Sequence, residues 1–478
     1  MKAYNRYIPL LSLLILTFIA KIINLNYNSP FNDEAIYIVV GKMGLFRGDW
    51  QSLYPFEWMG GVPYFYPFIT AYLYEFGGVV FSRLGNVIFF LLTLVVTYKI
   101  VGFLHLKRGN LAAIVATGVL GGASLGYYVA RLATYDMPSF FFLLLGVYLL
   151  LVANKKRVFP AKIYFVASIS FVVSFFFKYL TGALLPLVII FSFALVVKET
   201  KYRRRVWFYY FVVPMVLVLG VFGVTNIGNL AAFFQSNVAP TVSGNGLNIL
   251  EVFITESNYV LIIWILGSFG FLIKRKWKEW LFISAATFYI LFLHLILSRE
   301  QTFDKHVFLA IGGMSVIAGM GLSYLDGLLS TKTRTIYKIL VGATLIVFWV
   351  TSYSISAKYQ FYWTNAYRLT WSISEMVEPE SIVLTETGAN MQLALLDITK
   401  PDNVFTFDWI YYDGVEGEEA IQKGIYDGFF DVIILESQDN PKSDVNKALH
   451  DWVVDNIIDD IYTPSFEDGD FVVYKRNY

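Results

Sequence analysis

The sequence predicts an α-helical polytopic membrane protein with a small α/β domain at its C-terminal end. Three observations carry that prediction. Of the 478 residues, 57% are hydrophobic and 15% charged, with a mean hydropathy of +0.57; a soluble domain carries roughly 25% charged residues. Eleven apolar runs approach the length of about 20 residues that crosses a bilayer. Beyond Lys358 the apolar runs stop, and strand-like and helix-like stretches alternate. The net charge of +1 gives no global field for nucleic acid. The lack of cysteine excludes disulfides, thiolate nucleophiles and zinc–thiolate sites.

The first apolar run follows Lys2 and Arg6 and begins at Ile8. It has the shape of a signal peptide, but no small-residue cleavage site follows it, so it reads as an uncleaved first span at 8–27. Further spans are predicted at 82–104, 110–130, 136–154, 161–178, 180–197, 206–225, 258–273, 279–298, 306–325 and 336–356. The aromatic segment 64–77 is short and suits the interface as well as a crossing. Lys and Arg cluster in alternate loops, at 107–108, 155–157, 198–205, 274–278 and 332–338, whereas 226–257 holds none. The positive-inside rule then puts the N-terminus in the cytoplasm of a cell whose plasma membrane the chain spans. The first loop and everything after Lys358 fall outside. Two domains are expected: 1–357, with an external loop at 28–81, and 358–478.

In the tail, strands are predicted at 381–386, 404–407, 431–436 and 471–475, and helices at 417–428 and 443–458. Its acidic end, with Asp451, Asp455, Asp459, Asp460, Glu467, Asp468 and Asp470, reads as a solvated surface. No internal repeat is evident, which weakens a secondary-transporter reading.

Ionisable groups at the outer helix ends are the candidates for chemistry, since charge at membrane depth is costly and tends to mark sites. Asp33 and Glu34 follow the first span, Arg131 and Asp136 bracket the turn between the third and fourth, and Lys178 ends the fifth. Arg299, Glu300, Asp304, Lys305 and His306 fill the turn before the tenth. A half-buried carboxylate can act as a general base, although Asp33 and Asp136 also suit helix starts, Asp136 with Pro138 in the first turn. The outer basic residues suit either lipid headgroups, the nearby acids, or a phosphate. No Gly-rich phosphate loop is present, and His105, His294, His306 and His450 show no metal-binding spacing. Lys21 is the charge that lies within the first span.

Asn32-Asp33-Glu34-Ala35-Ile36-Tyr37 resembles the acidic motif in the first external loop of the GT-C glycosyltransferases, in particular the protein O-mannosyltransferase-like and aminoarabinose-transferase-like families. Gly48-Asp49-Trp50 and Gly60-Gly61-Val62-Pro63-Tyr64-Phe65-Tyr66-Pro67 continue that resemblance, as do Ser82-Arg83-Leu84, Arg131-Leu132-Ala133-Thr134-Tyr135-Asp136-Met137-Pro138, Phe177-Lys178-Tyr179 and Asp304-Lys305-His306. Two departures matter. Tyr66-Pro67 replaces the Glu-Lys pair of the aminoarabinose transferases, and the Trp-Trp-Asp-Tyr-Gly signature of oligosaccharyltransferases is absent.

The resemblance implies a GT-C fold and a sugar donor carried on a polyprenyl or dolichyl monophosphate. It implies inverting transfer to a hydroxyl of a protein, lipid or glycan at the outer face. Asp33 would be the base, with Glu34 and Asp136 beside it in catalysis. Arg131, Lys178, Arg299 and Lys305 would bind the donor phosphate, and Tyr37, Glu57, Trp58, Tyr64 and His306 would line the substrate. No cofactor is implied, and a divalent cation is left open. The competing readings are a flippase or transporter of lipid-linked saccharides and a glycan-binding membrane scaffold.

Overall fold

The computed structural model describes residues 7–49, 59–105, 109–155, 160–237, 246–298, 303–361, 363–407, 410–437, 447–457 and 461–477. They form two compact units. The first comprises Met1–Leu25, Pro55–Phe65 and Arg83–Ser356; the second comprises Asn26–Tyr54, Tyr66–Ser82 and Ala357–Tyr478. Most of the stretch 28–81, grouped by sequence with the membrane domain, therefore clusters with the C-terminal residues.

In chain order the helices are α1 (Ile8–Ile22), α2 (Asn32–Arg47), α3 (Tyr66–Leu104), α4 (Gly109–Gly122), α5 (Ser124–Arg131), α6 (Asp136–Lys155) and α7 (Pro160–Phe177). A 3₁₀ turn, Tyr179–Leu184, leads into α8 (Leu185–Val196). Then come α9 (Lys201–Trp207), which runs through a π-helical turn into α10 (Val213–Thr225), α11 (Ile227–Asn237), α12 (Gly246–Ile273), α13 (Trp277–Leu297), α14 (Phe303–Asp326) and α15 (Thr331–Ser356). Among the described residues nine helical runs are long and apolar enough to span a membrane, and ten if α4 and α5, bent by 66°, form one broken span. With the 15-residue α1, every apolar run expected from the sequence is helical. The chain is a multi-pass membrane protein.

Two helix breaks explain where the expected spans began. In α3 the helix is interrupted at Gly77 and Gly78, and Gly78 takes φ +63, which only glycine adopts cheaply. In α12 the break falls at Asn258, φ +46.

The first unit is held together by close backbone approach, because lipid gives apolar helix faces no drive to leave it for one another. A Cβ on Gly270 would stand 2.0 Å from the Gly321 carbonyl oxygen, and one on Gly319 would stand 2.2 Å from that of Ala112. These glycines draw α12 and α4 against α14.

The second unit adds α16 (Tyr367–Ile373), β1 (Val383–Thr385), α17 (Ala389–Leu395), β2 (Val404–Thr406), a small hairpin of β3 (Tyr411–Tyr412) and β4 (Val415–Glu416), α18 (Glu418–Tyr426), β5 (Val432–Glu436), α19 (Lys447–Asn456), β6 (Tyr462–Glu467) and β7 (Phe471–Arg476). The main sheet runs β2-β1-β5-β7-β6, parallel across the first three strands and antiparallel across the rest. Side chains alternate between two cores: Val383, Val432, Ile434 and Val473 face one, and Leu384, Ile433, Leu435 and Tyr462 the other. The four predicted strands are present. The edge strand β6 was missed because Pro464 and an exposed middle give it no strand signature. Positions 443–446 and 458 of the last predicted helix lie outside the described residues.

Candidate functional site

In the first unit the candidate site is assembled around two turns. The turn between α5 and α6 is held from below by Asn86, whose amide donates to the carbonyls of Leu132 and, at 2.6 Å, Thr134. That turn delivers Asp136 to the first residue of α6, and the Thr134 hydroxyl donates to Asp136 Oδ2 at 2.8 Å. The second turn carries Lys178 at the end of α7. Ser139 and Ser174 exchange hydroxyl-to-carbonyl bonds of 2.9 and 2.8 Å, stapling α6 to α7 one turn before it. The Lys178 carbonyl accepts from the Thr181 amide and hydroxyl.

The segment containing Gly60-Gly61 runs alongside this turn. Val62 N–H donates to Phe176 at 2.8 Å, and Tyr179 N–H donates to Gly60 at 2.7 Å. A Cβ on Gly61 would be 2.0 Å from the Phe177 carbonyl oxygen, so only glycine fits. The motif quoted from the sequence therefore has a physical task here: it braces the turn that presents Lys178.

The Lys178 ammonium forms an ion pair with Asp136 Oδ1, both side chains about nine-tenths buried, and stands 5.3 Å from the centre of the Tyr135 ring. Asp136, Lys178, Lys305 and His306 line one small cavity of about 20 Å³, with Val129, Phe140 and Leu180 among its apolar walls. Lys178 and Lys305 bring two ammonium groups to its wall beside the Asp136 carboxylate, groups that suit an anion. His306 is buried, and its Nδ1 lies 2.9 Å from Nε2 of His294, a residue no sequence pattern singled out. A histidine inside an otherwise apolar run was its available signal.

Arg131 is held at the end of α1. Its guanidinium donates to the carbonyls of Ile23, at 3.2 Å, and Asn24. Arg83, fully buried, donates to Leu25 at 3.0 Å. The carbonyls just past the end of α1 lack helical partners, and two buried arginines supply the donors. Arg131 thus serves the end of α1 and is not among the residues lining the cavity. Tyr64 is 39% exposed in the first unit. Glu57, Trp58 and Arg299 lie outside the described residues.

In the second unit the stretch Asn32-Asp33-Glu34 opens α2, and the structure divides its labour. Glu34, with no exposed surface, accepts the Phe31 amide at 2.8 Å, the carboxylate half of a capping box. Asn32 Oδ1 accepts the Ala389 amide at the start of α17, at 2.8 Å. A side chain on Gly388, φ +70, would meet that same oxygen at 2.6 Å. Glu34 therefore has a structural task at the start of α2. Asp33 is half-buried in the first turn. Tyr37 is buried edge-on against Tyr66, ring centres 5.6 Å apart. Farther along α2, Lys42 pairs with Glu75 at 2.9 Å and Arg47 with Asp397 at 3.1 Å.

Among the described residues no group of three or more His, Asp or Glu is arranged to hold a metal ion.

The backbone matches solved membrane proteins along nearly its whole length. Against ArnT from Cupriavidus metallidurans in the apo state the TM-score is 0.64 at 14% identity, covering 97% of each chain. Against the same protein bound to undecaprenyl phosphate it is 0.62, again at 14% identity and 97% of each chain. No protein-family model and no curated protein matches the sequence. The chain has the fold of these ArnT structures.

Proposed function

We propose that the chain is a glycosyltransferase that takes a sugar from a polyprenyl or dolichyl monophosphate and transfers it to an acceptor hydroxyl at the outer face of the membrane. The observation that carries this reading is the cavity lined by Lys178, Lys305, His306 and Asp136, a small recess at the ends of membrane helices with basic side chains and apolar walls. A lipid-borne phosphate needs both properties. The fold shared with a structure that holds undecaprenyl phosphate supports the same donor class.

In the proposed reaction the acceptor oxygen attacks the anomeric carbon. The carbon–oxygen bond to the phosphate breaks, and its electron pair leaves on the phosphate. The hydroxyl proton passes to the Asp33 carboxylate, and direct displacement inverts the anomeric centre. Lys178 and Lys305 stabilise the charge that grows on the leaving phosphate. Asp136 holds the Lys178 ammonium in place, which makes it a positioning residue. The outward orientation read from the loops fits this chemistry, because a membrane-delivered donor needs no nucleotide sugar outside the cell.

The test is incubation of the purified protein with labelled polyprenyl-phosphate sugars and a panel of hydroxyl acceptors. Transfer is expected, and Asp33→Asn should reduce it by about 10²–10⁴-fold, the usual contribution of a positioned base, while the protein remains folded. If no donor yields a transferred sugar, the reading fails. The broken helices α3, α12 and α4–α5 are the feature a flippase would use. Movement of lipid-linked saccharide across a vesicle membrane, without transfer, would favour that alternative.

A further inference from the structure

We propose that α9 is a docking site for the phosphodiester headgroup of an anionic phospholipid, with Lys201, Arg204 and Arg205 as its donors. Residues 198–205 hold Lys198, Lys201, Arg203, Arg204 and Arg205 against the carboxylate of Glu199, and the sugar-transfer reading uses none of them. The site is remote from the cavity: Asp136 opens the 20-residue α6, and α9 is tied to the far end of that helix.

The fold of α9 sorts these charges. Thr200 caps the helix, its hydroxyl accepting the Arg203 amide. Residues three and four apart share a helix face. Arg203, Val206 and Trp207 form one such stripe and turn inward. Val206 and Trp207 are buried, and the Trp207 ring centre lies 5.8 Å from that of Phe193 in α8. The Arg203 guanidinium donates to the Asn154 carbonyl at 2.8 Å and pairs with Glu199 at 3.2 Å. The carboxylate of the run is thus engaged by the inward arginine. Lys201, Arg204 and Arg205 form a second stripe, about 200° round the helix. All three are exposed, as is Lys198 ahead of the helix. Among the described residues no carboxylate lies within ion-pair distance of these four.

Position selects the class of anion. From α9 the chain runs through the π-helical turn into α10, and Lys201–Thr225 is one apolar helical run of 25 residues. At 1.5 Å per residue it is about 38 Å long, against about 30 Å of hydrocarbon, and its charged end is the part that stays outside the hydrocarbon. Lys201, Arg204 and Arg205 therefore stand at headgroup depth. Tyr202, Tyr209 and Tyr210 are exposed around them, and tyrosine settles at this level.

An unordered basic loop would orient a membrane helix equally well. Here a capped helix, tied by Arg203 and seated on Trp207, holds three cations in one stripe before any ligand arrives, so less ordering is left for binding to do. A phosphatidylglycerol headgroup supplies the missing anion. Phosphatidylcholine carries its own cation into the same stripe and gains less.

The test titrates phosphatidylglycerol and phosphatidylcholine of identical acyl chains into the full-length protein in a neutral detergent, and counts bound lipid by native mass spectrometry. The wild type should bind phosphatidylglycerol at least about tenfold more tightly. Each basic residue beside an anionic lipid surface is worth about fivefold in affinity. Lys201→Gln with Arg204→Gln and Arg205→Gln should therefore weaken phosphatidylglycerol binding by about a hundredfold and leave phosphatidylcholine unchanged. The substituted side chains are exposed, so the thermal midpoint should match the wild type; Arg204→Gln alone, expected to lose about fivefold, is the second variant. Lys274→Gln with Lys276→Gln and Lys278→Gln removes equal charge from the exposed loop between α12 and α13 and the start of α13, and should keep the preference. Millimolar inorganic phosphate should not displace the lipid. A wild type without the preference, a preference that survives the triple variant in α9, an equal loss in the loop variant, or displacement by inorganic phosphate would each overturn the inference. Sugar transfer is read separately and stands or falls on the cavity.

Discussion

At the residue scale the ion pair of Asp136 and Lys178 is the centre of the site. Both partners are largely buried, so removing one leaves the other charged and unpaired in a poor solvent. Lys178→Met should cost about 3–5 kcal/mol of stability, read as a lowered thermal midpoint in detergent. The double variant with Asp136→Asn should recover most of that stability but not phosphate binding. Recovery of both would mean that the pair is only structural. Lys21 makes the contrasting case. It is fully buried in α1, with Nζ 3.0 Å from the centre of the Tyr127 ring, and Nζ has no hydrogen-bond partner. Replacing it with Met removes a costly buried cation of similar volume, so the thermal midpoint should hold or rise; a drop of several degrees would show that the cation–π contact outweighs the burial. Asp136 and Lys178 were legible in the sequence because each is a charge at a helix end where few belong. Arg131 was equally visible, but its role was not. Whether an arginine meets a phosphate or a helix's last carbonyls depends on a partner more than a hundred residues away, which no local pattern encodes.

At the element scale the site depends on turns braced by other chain segments. The turn bearing Lys178 is fixed by Gly60 and Val62 through backbone bonds, and Gly61 must lack a side chain to lie there. Gly61→Ala should therefore displace that turn, at about 1–3 kcal/mol of strain, and reduce sugar transfer more than it reduces stability. Gly102→Ala, in α3 with nothing within 4 Å of the added methyl, is the control and should be neutral or slightly stabilising. Equal activity in the two variants would remove the bracing role. The apolar runs were readable as helices because length and hydropathy suffice in a bilayer. The glycine contacts, and the division of Asn32 and Glu34 between α17 and α2, were not readable, because they are long-range steric and hydrogen-bond facts.

At the scale of the whole molecule the two units answer to different chemistry, one to lipid and one to water. The second contains a buried pair near the ends of β1 and β5. His450 Nδ1 lies 2.7 Å from Glu386 Oε1, and the Glu436 amide donates to Glu386 Oε2 at 2.6 Å. The hydrogen bond to Glu386 raises the His450 pKa above its ordinary value, with burial opposing. A raised folded-state value means that the pair stabilises fully below the unfolded histidine value of roughly 6.5, and that this contribution is lost as pH rises through the folded value. The unfolding midpoint of the full chain should accordingly fall as pH is raised from about 6.5, and His450→Gln should flatten that slope; an unchanged slope would exclude the pair as its source. The α/β character of this unit was legible from alternating strands and helices, whereas its inclusion of residues 26–54 and 66–82 was not, since nothing local marks them as its own. The central claim is that the molecule transfers sugar from a lipid-borne phosphate, and it is tested most directly by transfer in lipid nanodiscs from a polyprenyl-phosphate sugar and, in parallel, from the matching nucleotide sugar. Transfer from the lipid donor alone, lost in Asp33→Asn and in Lys178→Met, is the predicted result. Transfer from the nucleotide sugar, or full activity of both variants with the lipid donor, would contradict it.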